Sequence, residues 1–74
     1  MNALACLPRH RIQEYLESKG YTPTHKEAAF PNGTSRLWHT DWGLPFWAPD
    51  SDYSVTSLEL GRIVENLEKH RPRN

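Results

Sequence analysis

The chain has 74 residues, which is enough for one domain and too short for a second core. Nine Lys and Arg balance nine Asp and Glu, so no overall field attracts the protein to nucleic acid or to a membrane surface. The single cysteine, Cys6, excludes an intramolecular disulfide, and the apolar runs are far shorter than the roughly 20 residues of a membrane span. We therefore expect a soluble cytoplasmic protein without a signal peptide.

The first predicted element is a helix over residues 8–19. Pro8 suits the first helical position, where its missing N–H costs no hydrogen bond, and apolar residues follow at helical spacing. Gly20 supplies the expected stop, and Tyr21 can pack back on the last turn as the hydrophobic contact of a Schellman motif. The preceding residues 1–7 are predicted to form a mobile N-terminal segment.

An antiparallel sheet is predicted for the centre of the chain. Pro31-Asn32-Gly33 is typical of a hairpin turn, because proline fits its second position and Asn-Gly tolerates positive φ. A second turn is predicted at residues 41–43. Pro45 cannot donate a ladder hydrogen bond, so the strand that contains it is expected at a sheet edge. Strands are predicted at residues 26–30, 34–40 and 44–48.

The last predicted element is a helix that begins after Thr56. Thr56 and Glu59 have the spacing of a capping box, and Val55 and Leu60 that of a hydrophobic staple. An apolar stripe at helical spacing follows: Leu60, Ile63, Val64 and Leu67. Gly61 lowers the helix propensity, and we interpret it as a site where a strand or a partner approaches closely.

These elements predict one α+β domain over residues 8–70, followed by a basic tail at residues 71–74. The order is helix, strand, strand, strand, helix. Each helix has one apolar face that must be covered, so the expected architecture has two layers, with both helices on one face of a small antiparallel sheet.

Aromatic residues are concentrated in the centre of the chain. Three tryptophans fall within ten residues: Trp38, Trp42 and Trp47. Side chains alternate between the faces of a strand. If Leu37 and Phe46 point at the helices, Trp38 and Trp47 point away from them, and Arg36 lies beside Trp38. Such a face has the composition of an interface hot spot. The alternative, that the tryptophans fill the core, stays open.

Charged residues are unevenly distributed along the chain. Acids without any Lys or Arg occupy residues 37–61, and basic residues gather near both chain ends. If the helices pack side by side, the basic clusters would form one patch opposite an acidic, aromatic loop, which suits docking to a charged protein. Ordinary solvated helix ends are the alternative. The predicted partner-binding residues are Arg9, Arg11, Arg36, Trp38, Asp41, Trp42, Trp47, Asp50, Asp52, Tyr53, Arg71 and Arg73.

The residue types that catalyse reactions or bind metals show no recognisable arrangement. The four histidines are isolated from one another, without the spacing of zinc ligands. Cys6 lies in the segment predicted to be mobile, which is a poor position for a nucleophile. The glycines lack the spacing of a phosphate-binding loop. We therefore expect a non-enzymatic protein with no metal and no cofactor.

The layout resembles the HicA toxin family. The resemblance covers about residues 9–67 and rests on Gly20-Tyr21 after the first helix, on Gly33-Thr34-Ser35 entering a strand, and on the element order. It implies a shape related to double-stranded-RNA-binding domains, and RNA binding or mRNA cleavage as an alternative function. His39, four places beyond Ser35, is then the candidate catalytic group.

The chain is also similar in kind to small bacteriophage proteins that take over host machinery. That similarity rests on the short length, the lack of an active-site pattern and the uneven charge. It implies binding to a host protein in the bacterial cytoplasm, with inhibition of bacterial RNA polymerase as the leading expectation. Nucleic-acid binding through the basic termini is not favoured. A homodimer stays open, because exposed tryptophans and a marginal core both favour self-association.

Overall fold

The computed structural model describes residues 5–31 and 33–73. It confirms an α+β fold in which two helices and a three-stranded antiparallel sheet follow the order α1-β1-β2-β3-α2. The sheet order is β1-β2-β3, so β3 is an edge strand, as Pro45 predicted. The elements are α1 (Arg9–Ser18), β1 (Thr22–Phe30), β2 (Gly33–His39), β3 (Pro45–Pro49) and α2 (Ser57–Glu68).

Helix α1 ends in the predicted Schellman motif. Gly20 has a φ of +88°, in the left-handed region that favours glycine. Its N–H donates to the Glu17 carbonyl at 3.0 Å, and the Tyr21 N–H donates to the Leu16 carbonyl at 3.2 Å. Tyr21 and Leu16 are both buried, which directs the chain from the helix into β1.

Helix α2 begins with the predicted capping box. The Glu59 N–H donates to Thr56 Oγ1 at 3.2 Å, and the Thr56 N–H donates to Glu59 Oε1 at 3.1 Å. Gly61 does not have the predicted close neighbour within the described chain. A Cβ built at Gly61 would meet no atom within 4 Å, so the helix does not approach a strand at this position.

Strand β1 starts earlier than predicted, at Thr22. Pro23 is tolerated because β1 is an edge strand, and the register shifts between Pro23 and Glu27 in a bulge. Within the bulge, Thr24 Oγ1 donates to the Leu37 carbonyl at 2.8 Å and satisfies an acceptor of the neighbouring strand. Phe30 pairs with Gly33 across the predicted hairpin turn, whose Asn32 lies outside the described residues.

The core lies between the two helices and one face of the sheet, which we call the inner face. Its buried apolar side chains are Ile12, Leu16, Tyr21, Trp38, Ala48, Val55, Leu60 and Val64. Phe46 packs against this core and Trp47 does not, so the predicted orientation of β3 is confirmed. The predicted orientation of β2 is wrong. Trp38 is 1% exposed and points at the helices, and by alternation Leu37 points away.

The two helices run parallel, with their N-termini at the same end of the domain. The Leu7 N–H, just before α1, donates to the Val55 carbonyl at 2.8 Å, just before α2. At the opposite end, Tyr21 follows α1, and its hydroxyl donates a hydrogen bond to Glu68, the last residue of α2. The prediction of one shared basic patch is therefore wrong, because the basic start of α1 and the basic residues after α2 lie at opposite ends.

Within the described residues, neither helix has the length and apolar character that crossing a membrane requires.

Candidate functional site

The sheet has a second face, directed away from the helices, which we call the outer face. Strand alternation and the pairing register place the same set of positions on it from all three strands. These positions are Thr22, Ala28, Phe30, Gly33, Ser35, Leu37, His39, Pro45, Trp47 and Pro49. The helices cover the inner face alone, so the outer face is open to another molecule.

An exposed aromatic pair dominates the outer face. Phe30 is 45% exposed and Trp47 is 41% exposed, and their ring centroids lie 6.3 Å apart in an edge-to-face arrangement. β1 and β3 contribute one ring each, and β2 places the small residues Gly33 and Ser35 between them. Leu37, paired directly with Trp47, extends the apolar surface. Large aromatic side chains at the centre of a surface are the residues that most often anchor protein interfaces.

The outer face carries little charge. None of these ten paired positions is Asp, Glu, Lys or Arg, but alternation along β1 directs the exposed Lys26, which lies between Glu27 and the bulge, to the same face. The charged pair of the sheet, Glu27 and Arg36, stands at inner-face positions. A surface with a single lysine on its edge strand offers little to neutralise a row of phosphates, and it suits apolar contact with a protein.

The open edge of β3 is protected against strand addition. The Asp50 N–H donates to the Thr34 carbonyl at 2.8 Å, so the even-numbered residues of this segment hydrogen-bond to β2. The odd-numbered residues turn their backbone groups to the open edge, and Pro45 and Pro49 have no N–H there. Trp47 supplies the one outward N–H of β3. The bulge interrupts the edge of β1 in a similar way. A partner is therefore expected to dock on the outer face rather than extend the sheet.

Two predicted contact residues, Arg36 and Asp50, form an internal ion pair instead. The Asp50 side chain is 1% exposed, and its carboxylate accepts hydrogen bonds from Arg36 Nη2 at 3.1 Å and from Gln13 Nε2 at 3.2 Å. Arg36 also donates to the Thr24 carbonyl at 2.9 Å and to Glu27 at 3.1 Å. This pair joins α1 to the sheet, so neither residue is available to a partner.

Two more predicted contact residues, Asp41 and Arg71, form an ion pair between the β2–β3 turn and the end of α2. Arg71 Nη1 lies 2.9 Å from Asp41 Oδ2, and Arg71 Nε donates to Glu68 Oε1 at 2.8 Å. The guanidinium also lies 4.5 Å from the Trp42 ring centroid, in cation–π contact. Trp42 is half-buried beneath this group, which limits its access to a partner.

The same cluster shifts the pKa values of its carboxylates. Hydrogen bonds from Arg71, followed by the one from Tyr21, lower the pKa of Glu68 to about 2. The hydrogen bond from Arg71 likewise lowers the pKa of Asp41. Burial, and then the hydrogen bond to Glu68, raise the pKa of the Tyr21 hydroxyl. These shifts belong to a structural network that holds the C-terminal end of α2 against the sheet.

The remaining predicted contacts lie away from the outer face. Asp52 Oδ1 accepts a hydrogen bond from the Arg9 N–H at 2.6 Å and so caps α1. Tyr53 is 67% exposed and adopts a left-handed φ of +59° in the loop before α2. Arg11 pairs with Glu14 at 3.7 Å on the surface of α1. The other residue of the set, Arg73, is exposed after α2.

Trp47 is thus the one predicted contact residue that belongs to the outer face. Phe30 and Leu37 were missed. The register could have revealed them, because both share the facing of Trp47 once the hairpin turn at Pro31 and the turn at residues 41–43 fix the pairing of the strands.

The described residues contain no group of three or more His, Cys, Asp or Glu side chains that could hold a metal ion. No family model, curated protein or solved structure matches this chain.

Proposed function

We propose that this chain is a small non-enzymatic regulatory protein of the bacterial cytoplasm that binds another protein through its outer face. The partner we propose is a host macromolecular machine, with bacterial RNA polymerase first, and the outcome is inhibition or redirection of transcription. The observation that supports binding is the exposed Phe30–Trp47 pair on a face where Lys26 is the one charged residue of the three strands.

The physical argument rests on the cost of leaving that pair in water. An aromatic side chain has roughly 150–250 Å² to bury, so about 40% exposure leaves on the order of 80 Å² of each ring unburied. At about 25 cal/mol per Å², covering both rings stabilises a complex by roughly 4 kcal/mol before the costs of association. Two adjacent anchors of this size are typical of a hot spot.

The choice of protein over nucleic acid follows from charge. Single-stranded nucleic acids also stack on aromatic residues of a sheet, but such surfaces combine the rings with a basic groove that follows the phosphates. Here Lys26 is the one basic residue on the face, and Arg36 points to the inner face, where Asp50 neutralises it. A protein surface with an apolar centre fits the outer face better.

The test compares matched variants in binding to purified bacterial RNA polymerase and in a transcription assay. Phe30→Ser and Trp47→Ser remove the two anchors. Tyr53→Ser and Leu58→Ser remove apolar side chains of similar or greater exposure, 67% and 45%, outside the outer face. We expect at least about tenfold weaker binding for the first pair and less than about twofold change for the second, since anchor losses exceed about 1.4 kcal/mol.

Two results would count against the proposal at different levels. If the wild-type chain does not bind the polymerase, that partner is wrong, and affinity capture with identification of bound proteins by mass spectrometry replaces the binding assay. If no captured protein is lost specifically in Phe30→Ser and Trp47→Ser, protein binding through the outer face is wrong.

A second candidate function is RNA binding or cleavage of the HicA type. The observation in its favour is the helix-strand-strand-strand-helix order, together with His39 exposed at an outer-face position. Incubation with single-stranded and double-stranded RNA at several salt concentrations tests it. Salt-dependent binding, or cleavage that His39→Ala abolishes, would support this candidate, and the lack of both would remove it.

A further inference from the structure

We draw no further inference here: the strongest candidate, the apolar groove between α1 and the start of α2 that is lined by Leu7, Tyr15 and Leu60, carries nothing because no contact within the described part of the chain shows what covers it.

Discussion

The buried ion pair between Arg36 and Asp50 gives the sharpest test of how this fold is held together. Asp50→Ala removes the acceptor for Arg36 Nη2 and for Gln13 Nε2, both at about 3 Å. Arg36 then keeps an exposed partner, Glu27, and the Thr24 carbonyl. Removing one member of a buried pair costs about 3–5 kcal/mol, and the contacts that Arg36 keeps place the expected loss near 3 kcal/mol.

That loss is comparable with the whole stability of a domain this small, which is roughly 3–5 kcal/mol. Urea denaturation, followed through tryptophan fluorescence, measures it, because the buried Trp38 reports unfolding. Asp52→Ala is the matched control. Asp52 is exposed and caps α1, so its loss should cost only about 1 kcal/mol.

A double-mutant cycle separates the ion pair from general damage to the fold. The double variant, Arg36→Met with Asp50→Ala, leaves no unpaired buried charge. Its free energy of unfolding should therefore be at least about 2 kcal/mol higher than the sum of the two single changes predicts. The reasoning is refuted if Asp50→Ala costs less than about 1 kcal/mol, or if the two single effects simply add.

Three further predictions concern stability. Because the folded pKa of Glu68, about 2, and that of Asp41 lie below their ordinary values, their network stabilises the fold fully above about pH 4.5 and loses this contribution as the pH falls towards 2. Arg71→Gln should flatten that part of the pH profile in urea titrations. Gly61→Ala should raise the free energy of unfolding by up to about 1 kcal/mol, because the added methyl group meets open space. Gly20→Ala should lower it by about 1 kcal/mol, because φ is +88°. Thermal melts distinguish the two glycines, and equal effects of the same sign would contradict these local explanations.

Local signals in the sequence correctly predicted the element order, the end of α1 and the start of α2. Thr56 and Glu59 form the capping box, and Gly20 with Tyr21 forms the Schellman motif, because each depends on contacts within a few residues. The start of β1 was missed for the opposite reason. Pro23 lowers the strand propensity, and tolerance of it depends on a bulge that forms only when β2 is present.

The orientation of β2 could not be predicted from apolar alternation alone. That rule directs the face of β2 with Leu37 towards the helices, because the opposite face contains the polar residues Arg36 and Thr40. One long-range contact and one contact within the β2–β3 turn reverse the preference. Arg36 is paired by Asp50, fourteen positions later, and Thr40 Oγ1 accepts a hydrogen bond from the Leu44 N–H at 2.9 Å. Once these polar groups are satisfied, the inner face can bury the large ring of Trp38.

Long-range contacts also explain why the candidate site differs from the predicted one. Asp41, Asp50 and Asp52 stand out in the sequence as an acidic stretch, but each binds a group from a distant part of the chain. Only residues with no internal role of this kind remain for a partner, and on the sheet these are the aromatic residues of the outer face.

The most direct test of the outer face as the contact surface is fluorine NMR of a chain labelled with fluorotryptophan. The three tryptophans report three places: Trp38 the core, Trp42 the cluster under Arg71, and Trp47 the outer face. On addition of purified RNA polymerase, the Trp47 signal should shift or broaden while the Trp38 signal stays in place. A response of Trp42 with no change at Trp47 would contradict the account.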